Sequence, residues 1–150
     1  RDMLEALLCM CLNIYFEARS EPIQGQIAVA ETTLNRVRSP DYPDTVCGVV
    51  LQENENGCSF SWWCDGLSDE PKEHNSFHTS KALAKLMLED GDYISVVGDQ
   101  VTHYHTKDIT PYWVDSFEYV KTVGKHIFYR PILSSIEPMP RPEAIGEIVQ

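Results

Sequence analysis

The sequence lacks the features of several large protein classes. No stretch approaches the roughly 18 consecutive apolar residues of a transmembrane helix, so no membrane insertion is predicted. Positive charge is scarce, with 12 Lys and Arg residues against 23 Asp and Glu residues and a formal net charge of -11. Because nucleic acids and anionic membranes are bound through basic patches, we exclude both as partners. Proteins, small molecules and glycans remain.

Several catalytic and targeting signatures are also missing. The sequence has no HExxH zinc-protease motif, no GxSxG nucleophile elbow and no internal repeat. It begins at Arg1 without the basic, apolar and small-residue pattern of a secretory signal. We therefore expect a native targeting signal to lie outside these residues.

What is present is the composition of an ordinary globular domain. Hydrophobic residues make up 43% of the 150 residues and charged residues 23%, which is enough apolar surface for one sizeable core. We expect a monomer. Within the chain, residues 1–130 form the predicted domain, and the proline-rich residues 131–150 are interpreted as an extension.

The five cysteines leave at least one thiol free. Cys9 and Cys11 lie in an apolar stretch and are interpreted as small core residues. Cys47, Cys58 and Cys64 flank one loop and could supply a disulfide in an oxidising compartment. A zinc site is the alternative, although C-x5-C without a matching Cys or His pair is a weak metal signal.

Apolar residues spaced three and four apart predict helices over 3–17, from Pro22 to about Arg38, over 79–90 and over 111–123. The residues expected to face the core are Leu4, Leu7, Leu8, Cys11, Leu12 and Tyr15 in the first helix; Ile23, Ile27, Ala30, Leu34 and Val37 in the second; Ala82, Leu83, Leu86 and Met87 in the third; and Trp113, Phe117 and Val120 in the fourth. Ser20 or Glu21 is expected to cap the second helix.

A small sheet completes the predicted fold. Residues 101–106 and 126–130 have strand-like patterns and are expected to pair. Residues 47–51 are a short apolar run, helix or strand. Residues 52–75 show little periodicity and predict a long loop, which is often functional. The predicted class is α+β, mostly α.

A carboxylate at the end of a buried helix is the first candidate for chemistry. Glu17 falls on the flank of the apolar stripe, where partial desolvation raises the pKa of a carboxyl. Glu21 follows four residues later, just before Pro22. The simpler alternative is that both glutamates are solvated charges at a helix end.

Two further segments are unusual in composition. Trp62 and Trp63 are adjacent in a loop rich in Gly and Asp, and one exposed ring would offer a stacking surface to a sugar or peptide. His103 and His105 would face the same side of a strand. They are interpreted as a hydrogen-bonded wall rather than a metal site, since no third ligand is evident.

Taken together, these motifs resemble the SleB-type cell wall hydrolases, which include spore-cortex-lytic enzymes and phage and bacterial relatives. The matching segments are FEARSEP (16–22), GQIAVA (25–30), LNRVRSPDYPDTVCGVV (34–50), Cys58 to Trp62, THYH (102–105), Pro111 to Trp113 and GKHIFYR (124–130). Two departures stand out: Ser20 replaces a usual glycine, and Ser59 occupies a position that is often glutamine.

The resemblance implies a lysozyme-like fold, a peptidoglycan substrate and one catalytic glutamate, Glu17. Such enzymes are lytic transglycosylases: they cleave the β-1,4 bond between N-acetylmuramic acid and N-acetylglucosamine and leave a 1,6-anhydro end. No cofactor and no metal are implied. The place of action is the bacterial cell wall, reached by export to the periplasm or beyond, or by phage-mediated release at lysis.

Around Glu17, the expected substrate-binding residues come from three segments. They are Glu21, Phe60, Ser61, Trp62, His103, Tyr104 and His105. Phe60, Ser61 and Trp62 are expected in the cleft wall, and Tyr104 and His105 are expected to orient the sugar or the Glu17 carboxyl. Glu21 could instead fix Arg19 and the turn, or cap the helix. We interpret Asn35 and Arg36 as braces of a helix end, and His126 and Phe128 as structural.

Three rival functions remain at this point. A lysozyme-type muramidase would need a positioned water or a second carboxylate, with Glu21, Glu31, Asp65 and Asp115 as candidates for the carboxylate. A zinc amidase would cut the muramoyl–alanine bond with His103 and His105. A wall-binding module would bind glycan and form no product.

Overall fold

The computed structural model describes residues 2–132, which contain four α-helices and two small antiparallel sheets. The helices are α1 (Asp2–Ala18), α2 (Ile23–Arg38), α3 (Val46–Val50) and α4 (His74–Asp90), and the strands are β1 (Glu53–Asn54), β2 (Gly57–Cys58), β3 (His103–Thr106), β4 (Phe117–Val123) and β5 (His126–Pro131). Short 3-10 turns cover Ser61–Trp63, Gly91–Tyr93 and Val114–Ser116. This confirms the predicted α+β class with mostly helical content.

Helix α1 confirms the first predicted helix. Some of the residues predicted to face the core, however, lie in its exposed first half. The buried residues of α1 begin at Cys9 and continue through Ile14 to Ala18, whereas Leu4 and Leu8 are 72% and 55% exposed. The first two turns of the helix therefore project beyond the core. Its second half packs against α2, α3 and α4.

Helix α2 lies at the centre of the molecule, between two apolar clusters. Ala30 and Leu34 belong to the cluster formed by the helices, and Ala28 and Val29 belong to the cluster beside the sheet. A helix buried on two sides has no single apolar stripe, which is why the predicted stripe was incomplete. Ile23, its first predicted member, is 50% exposed.

The cap predicted for α2 is wrong. Pro22 is the N-cap residue, and no side chain caps the helix. Ser20 is exposed, and the Glu21 carboxylate accepts a hydrogen bond from the Lys125 N–H at 2.7 Å instead. The link between α1 and α2 is thus tied to the hairpin between β4 and β5.

Helix α4 begins at His74, five residues before its predicted start, and ends as expected at Gly91. Leu83 and Met87 face the core as predicted. The other two positions expected there, Ala82 and Leu86, are exposed, and Ala84 is buried instead.

The three-stranded sheet has the order β3-β5-β4. Its β3–β5 pairing confirms the prediction, with His103 opposite Tyr129 and Tyr104 opposite Phe128. Strand β4 contradicts the predicted helix over 111–123. It pairs antiparallel with β5, and a register shift between Tyr119 and Lys121 interrupts the alternation by which a strand is recognised.

Two disulfides are present, and one of them joins two of the three cysteines expected to supply such a bond. Cys9 bonds Cys47, which ties α1 to α3, and Cys58 bonds Cys64 within the long loop. Cys9 lies in the core as predicted, but its disulfide with Cys47 was not expected. Cys11 is the free, buried cysteine, and burial raises the pKa of its thiol to about 11.

The predicted boundary between domain and extension falls close to the end of the sheet. Strand β5 runs to Pro131, one residue past 130. Of the proposed 131–150 extension, residues 133–150 lie outside the part that the structure describes. Within residues 2–132, no helix has the length and apolarity needed to cross a bilayer.

Candidate active site

A cleft of about 510 Å³ opens between the helices and the three-stranded sheet. Its walls come from the end of α1, the 58–61 loop, β3, the 109–113 segment and the start of β5. The lining residues are Phe16, Glu17, Cys58, Ser59, Ser61, Tyr104, His105, Thr106, Ile109, Pro111, Trp113 and His126.

Glu17 stands at this cleft because α1 ends there. Ile14 and Ala18 on the same helix are buried, so the side of α1 that carries Glu17 lies at the edge of the core. The hydroxyl of Tyr104 donates a hydrogen bond to Oε1 of Glu17 at 2.5 Å. A strand residue on the opposite wall thereby fixes the orientation of the carboxyl group.

The electrostatics of the cleft favour the neutral acid. Burial raises the pKa of Glu17, and the hydrogen bond from Tyr104 and the positive charge of Arg36 only partly offset this. Burial and the Glu17 carboxylate raise the pKa of Tyr104 well above its usual range, so its hydroxyl remains a donor. Glu17 thus holds its proton to a higher pH than an ordinary glutamate.

Arg36 reaches this region from α2. It is buried, its Nε donates to the Thr102 carbonyl at 2.8 Å, and its guanidinium lies 5.0 Å and 5.4 Å from the ring centres of Tyr42 and Phe60. Asn35 donates to the carbonyls of Gly98 and Val101. The Asn35 distances are 2.8 Å and 2.9 Å. Both residues therefore brace the segment that enters β3, not a helix end as predicted.

The aromatic loop contributes one of its three expected residues to the cleft. Ser61 lines it, whereas Phe60 and Trp62 are only 3% and 6% exposed and lie outside the lining. The Trp62 ring stacks on Phe16 at 5.0 Å, and its N–H donates to Oδ1 of Asn13 at 2.9 Å. Because Asn13 supplies a buried partner for the indole, Trp62 supports the cleft wall from behind.

The two strand histidines differ in their relation to the cleft. His103 lies outside the lining, packed against Trp113 and Phe117, and burial together with Arg36 lowers the pKa of its ring to about 4. His105 does line the cleft. Its Nδ1 lies 2.6 Å from the carbonyl of Thr106 and its Nε2 lies 2.9 Å from the hydroxyl of Tyr129.

These contacts do not fit a zinc amidase. Both ring nitrogens of His105 already have protein partners, and a zinc ligand needs a free one. In the described part of the chain, the group of three possible ligands that lies close together is Glu53, Cys58 and Cys64. It includes neither histidine, and its two cysteines form a disulfide.

Glu21 also lies behind the cleft rather than in it. It is buried, and its Oε1 is 3.7 Å from Nδ1 of His126. The predicted contact with Arg19 is not formed, because Arg19 pairs with Glu73 at 2.8 Å.

The other candidate carboxylates are similarly remote. Glu31 is buried, and its carboxylate accepts hydrogen bonds from the Ser95 hydroxyl and from the N–H groups of residues 96–98. Asp65 and Asp115 do not line the cleft. Among the lining residues within 2–132, Glu17 is the one carboxylate.

Sequence reasoning missed part of the cleft. Thr106, Ile109, Pro111 and Trp113 line it, and so does His126, which was interpreted as purely structural. The Pro111–Trp113 motif was a usable signal, but the segment was assigned to a helix. Ser59, noted as a departure from the family pattern, also lines the cleft.

Comparison with known proteins points to one family. A family model described as Cell Wall Hydrolase matches residues 20–129. Spore cortex-lytic enzymes of Halalkalibacterium halodurans and Bacillus cereus are each 33% identical over 120 residues, or 79% of this chain. The match covers 33% and 42% of those two proteins, so the chain spans less than half of their length.

Two solved structures are similar over most of their length. The catalytic domain of the germination-specific lytic transglycosylase SleB from Bacillus anthracis has a TM-score of 0.65 and 31% identity, covering 83% of this chain and 93% of that one. The catalytic domain of the Bacillus cereus SleB protein has a TM-score of 0.61 and 30% identity, covering 84% and 91%. Glu17 precedes the range matched by the family model, so its role is argued from the cleft geometry.

Proposed function

The chain belongs to the cell wall hydrolase family, and from that premise we propose that it is a lytic transglycosylase of peptidoglycan. It cleaves the β-1,4 bond between N-acetylmuramic acid and N-acetylglucosamine and leaves a 1,6-anhydro-muramoyl end. Residues 1–130 form the catalytic domain. The similarity to the SleB catalytic domains supports this assignment.

The observation that carries the proposal is the presence of a single carboxylate in the described cleft lining. Most glycosidases use a pair of carboxylates, one as acid and the other as base or nucleophile. A lytic transglycosylase replaces the second carboxylate with the C6 hydroxyl of the substrate itself. One glutamate at the cleft is then sufficient.

Glu17 performs both proton transfers in this mechanism. Its raised pKa keeps it neutral at the start, and it protonates the leaving glycosidic oxygen as the C1–O bond breaks. The resulting carboxylate then accepts the proton of the C6 hydroxyl as that oxygen bonds to C1. Because the hydroxyl is tethered to the same sugar, its effective concentration is very high.

Tyr104, Ser61 and His105 are the predicted binding residues that remain in the proposed substrate cleft. Tyr104 holds the Glu17 carboxyl, and Ser61 and His105 both line the cleft. Phe60, Trp62, Glu21 and His103 support this wall from outside it. Thr106, Ile109, Pro111 and Trp113 join the substrate surface.

The enzyme acts on glycan strands of the bacterial wall, as a monomer, after export or after release at phage lysis. Acid catalysis with an internal nucleophile requires no cofactor.

The product end tests the reaction type. Purified peptidoglycan digested by the protein is expected to release muropeptides with 1,6-anhydro ends, identified by mass spectrometry as 18 Da lighter (about one water) than the hydrolysis products. The matched control is the same digest with a muramidase. Reducing ends from this protein would overturn the transglycosylase assignment in favour of a muramidase, and glycan left whole with free alanine amino groups would instead indicate an amidase.

Substituting Tyr104 by Phe tests the hydrogen bond to Glu17. The hydroxyl lowers the pKa of Glu17, so its loss is expected to raise that pKa and to move the alkaline limb of the pH–rate profile to higher pH. The rate at the optimum should fall about 10-fold, because the carboxyl loses its fixed orientation.

The control for this experiment is Tyr119→Phe, which removes an exposed hydroxyl on strand β4 that shares a hydrogen bond with the Thr122 hydroxyl. Its pH profile should match the wild type. An unshifted alkaline limb in Tyr104→Phe would show that the tyrosine does not control the protonation of Glu17.

A further inference from the structure

His126 is a buried histidine at the cleft that the mechanism above leaves without a role. Its side chain is almost wholly buried, yet it contributes to the cleft lining. Its Nδ1 is fully buried and has no hydrogen-bond partner within residues 2–132. An unpartnered buried ring nitrogen is costly, so its surroundings call for an explanation.

The Glu21 carboxylate stands directly behind this ring. Its Oε1 lies 3.7 Å from Nδ1 of His126, and both side chains are buried. The Lys125 N–H donates to the same oxygen at 2.7 Å and holds it in place. The turn fits around this carboxylate, because Gly124 has φ +59 and a side chain there would collide with Glu21.

This placement selects one form of the imidazole. A carboxylate only accepts hydrogen bonds, so a neutral ring is most stable with its proton on Nδ1, the nitrogen that faces Glu21. Burial lowers the pKa of His126; Glu21 opposes this, and His105 adds to it. The ring is therefore neutral at neutral pH, and Nε2 carries a lone pair.

The Nδ1 edge of the ring is enclosed beside Glu21, so Nε2 lies on the edge directed toward the cleft. The ring also lies next to the catalytic pair. Its centre is 4.9 Å from the ring centre of Tyr104, whose hydroxyl donates to Glu17. His126 and Glu17 thus both contact Tyr104.

We propose that Glu21 and His126 form a substrate-positioning pair, in which Glu21 holds the Nδ1–H form of the ring and Nε2 accepts a hydrogen bond from a hydroxyl of the bound sugar. The inference rests on the proposed function, because the sugar is the one whose bond Glu17 cleaves. No proton transfer is assigned to His126. By fixing the sugar ring, the pair favours attack by the tethered C6 hydroxyl over attack by water.

Kinetics and product ends of three variants test the pair. His126→Gln removes the imidazole acceptor, Glu21→Gln removes the charge but keeps an oxygen for the Lys125 N–H, and His78→Gln, at an exposed position of α4, is the control outside the cleft. Each of the first two is expected to lower kcat/KM about 10-fold, the effect of one lost hydrogen bond. Both should also raise the fraction of reducing ends.

The double variant His126→Gln with Glu21→Gln separates a pair from two independent residues. If Glu21 acts through His126, the double variant should be no slower than either single variant. Additive losses, or a product ratio in His126→Gln equal to that of His78→Gln, would overturn the proposal. Thermal unfolding of each variant confirms that it is folded.

The ring form is measured independently of any variant's activity. Nitrogen-15 NMR of the wild-type histidines should show His126 as the Nδ1–H tautomer, and its Nε2 signal should shift when a peptidoglycan fragment is added. An Nε2–H tautomer would overturn the proposal even if the variants lose activity. Wild-type digests with only reducing ends would instead contradict the lytic transglycosylase function, while the tautomer would still test the pair.

Discussion

Glu17→Gln is expected to lower the rate of glycan cleavage by about 10²- to 10⁴-fold, the usual contribution of a general acid. Gln has nearly the same shape and still accepts the Tyr104 hydrogen bond, but it has no proton to give to the leaving oxygen. The measurement is the initial rate of muropeptide release by the purified variant. Because one residue serves as both acid and base, no second carboxylate of the cleft lining is expected to compensate.

The same substitution is not expected to destabilise the fold. The pKa of Glu17 is raised in the folded protein, so the stability associated with this group is complete at low pH and decreases as pH rises through the folded pKa. Gln does not ionise, so the variant does not lose this stability as pH rises. Above this pKa, thermal unfolding of the variant should occur at the same temperature as the wild type or higher.

A matched substitution separates catalysis from general loss of charge. Glu118 lies on the outer strand β4 and forms an exposed ion pair with Arg130. Glu118→Gln removes this carboxylate and should retain full activity. If Glu17→Gln kept more than about a tenth of the wild-type rate, Glu17 would not be the general acid.

Removing the Cys9–Cys47 disulfide is expected to cost about 4 kcal/mol of unfolding free energy. The bond closes a loop of 38 residues, and the chain-entropy argument gives that value for such a loop. The variant Cys9→Ala with Cys47→Ala should therefore melt roughly 10 °C lower than the wild type. Chemical denaturation without reductant measures the free energy directly.

The second disulfide provides the comparison. The Cys58–Cys64 bond closes only 6 residues, so Cys58→Ala with Cys64→Ala should cost about 2 kcal/mol. Cys58 lines the cleft, however, and this pair of substitutions should reduce activity more than the first pair does. Equal losses of stability from the two pairs would contradict the loop-length argument. Cys11 does not interfere, because its raised pKa keeps it a thiol.

Much of the helical architecture follows from local sequence. The periodic spacing of apolar residues located α1, α2 and α4, since the buried side of a partly buried helix carries an apolar residue every three to four positions. The strand-like patterns of residues 101–106 and 126–130 located β3 and β5, since a strand buried on one side repeats its buried side chains every second residue. Glu17 was singled out because it is a carboxylate where such a helix ends.

Strand β4 shows where local spacing misleads. Its residues are mostly exposed, and the register shift after Tyr119 breaks the alternation. Trp113, Phe117 and Val120 then happen to fall at helical intervals. An edge strand is stabilised largely by pairing with its neighbour, here β5, and that pairing is invisible in the strand's own sequence.

The sequence by itself determined the class of fold, the helix that carries the acid and the motifs shared with cell wall hydrolases. Only the tertiary structure decided which aromatic rings are buried, which cysteines pair and which polar groups reach the cleft. Trp62 is buried because Asn13, far away in sequence, offers its indole a partner. His126 faces Glu21 because a hairpin folds back onto the link between two helices. Such contacts depend on residues brought together by packing, and no local pattern encodes them.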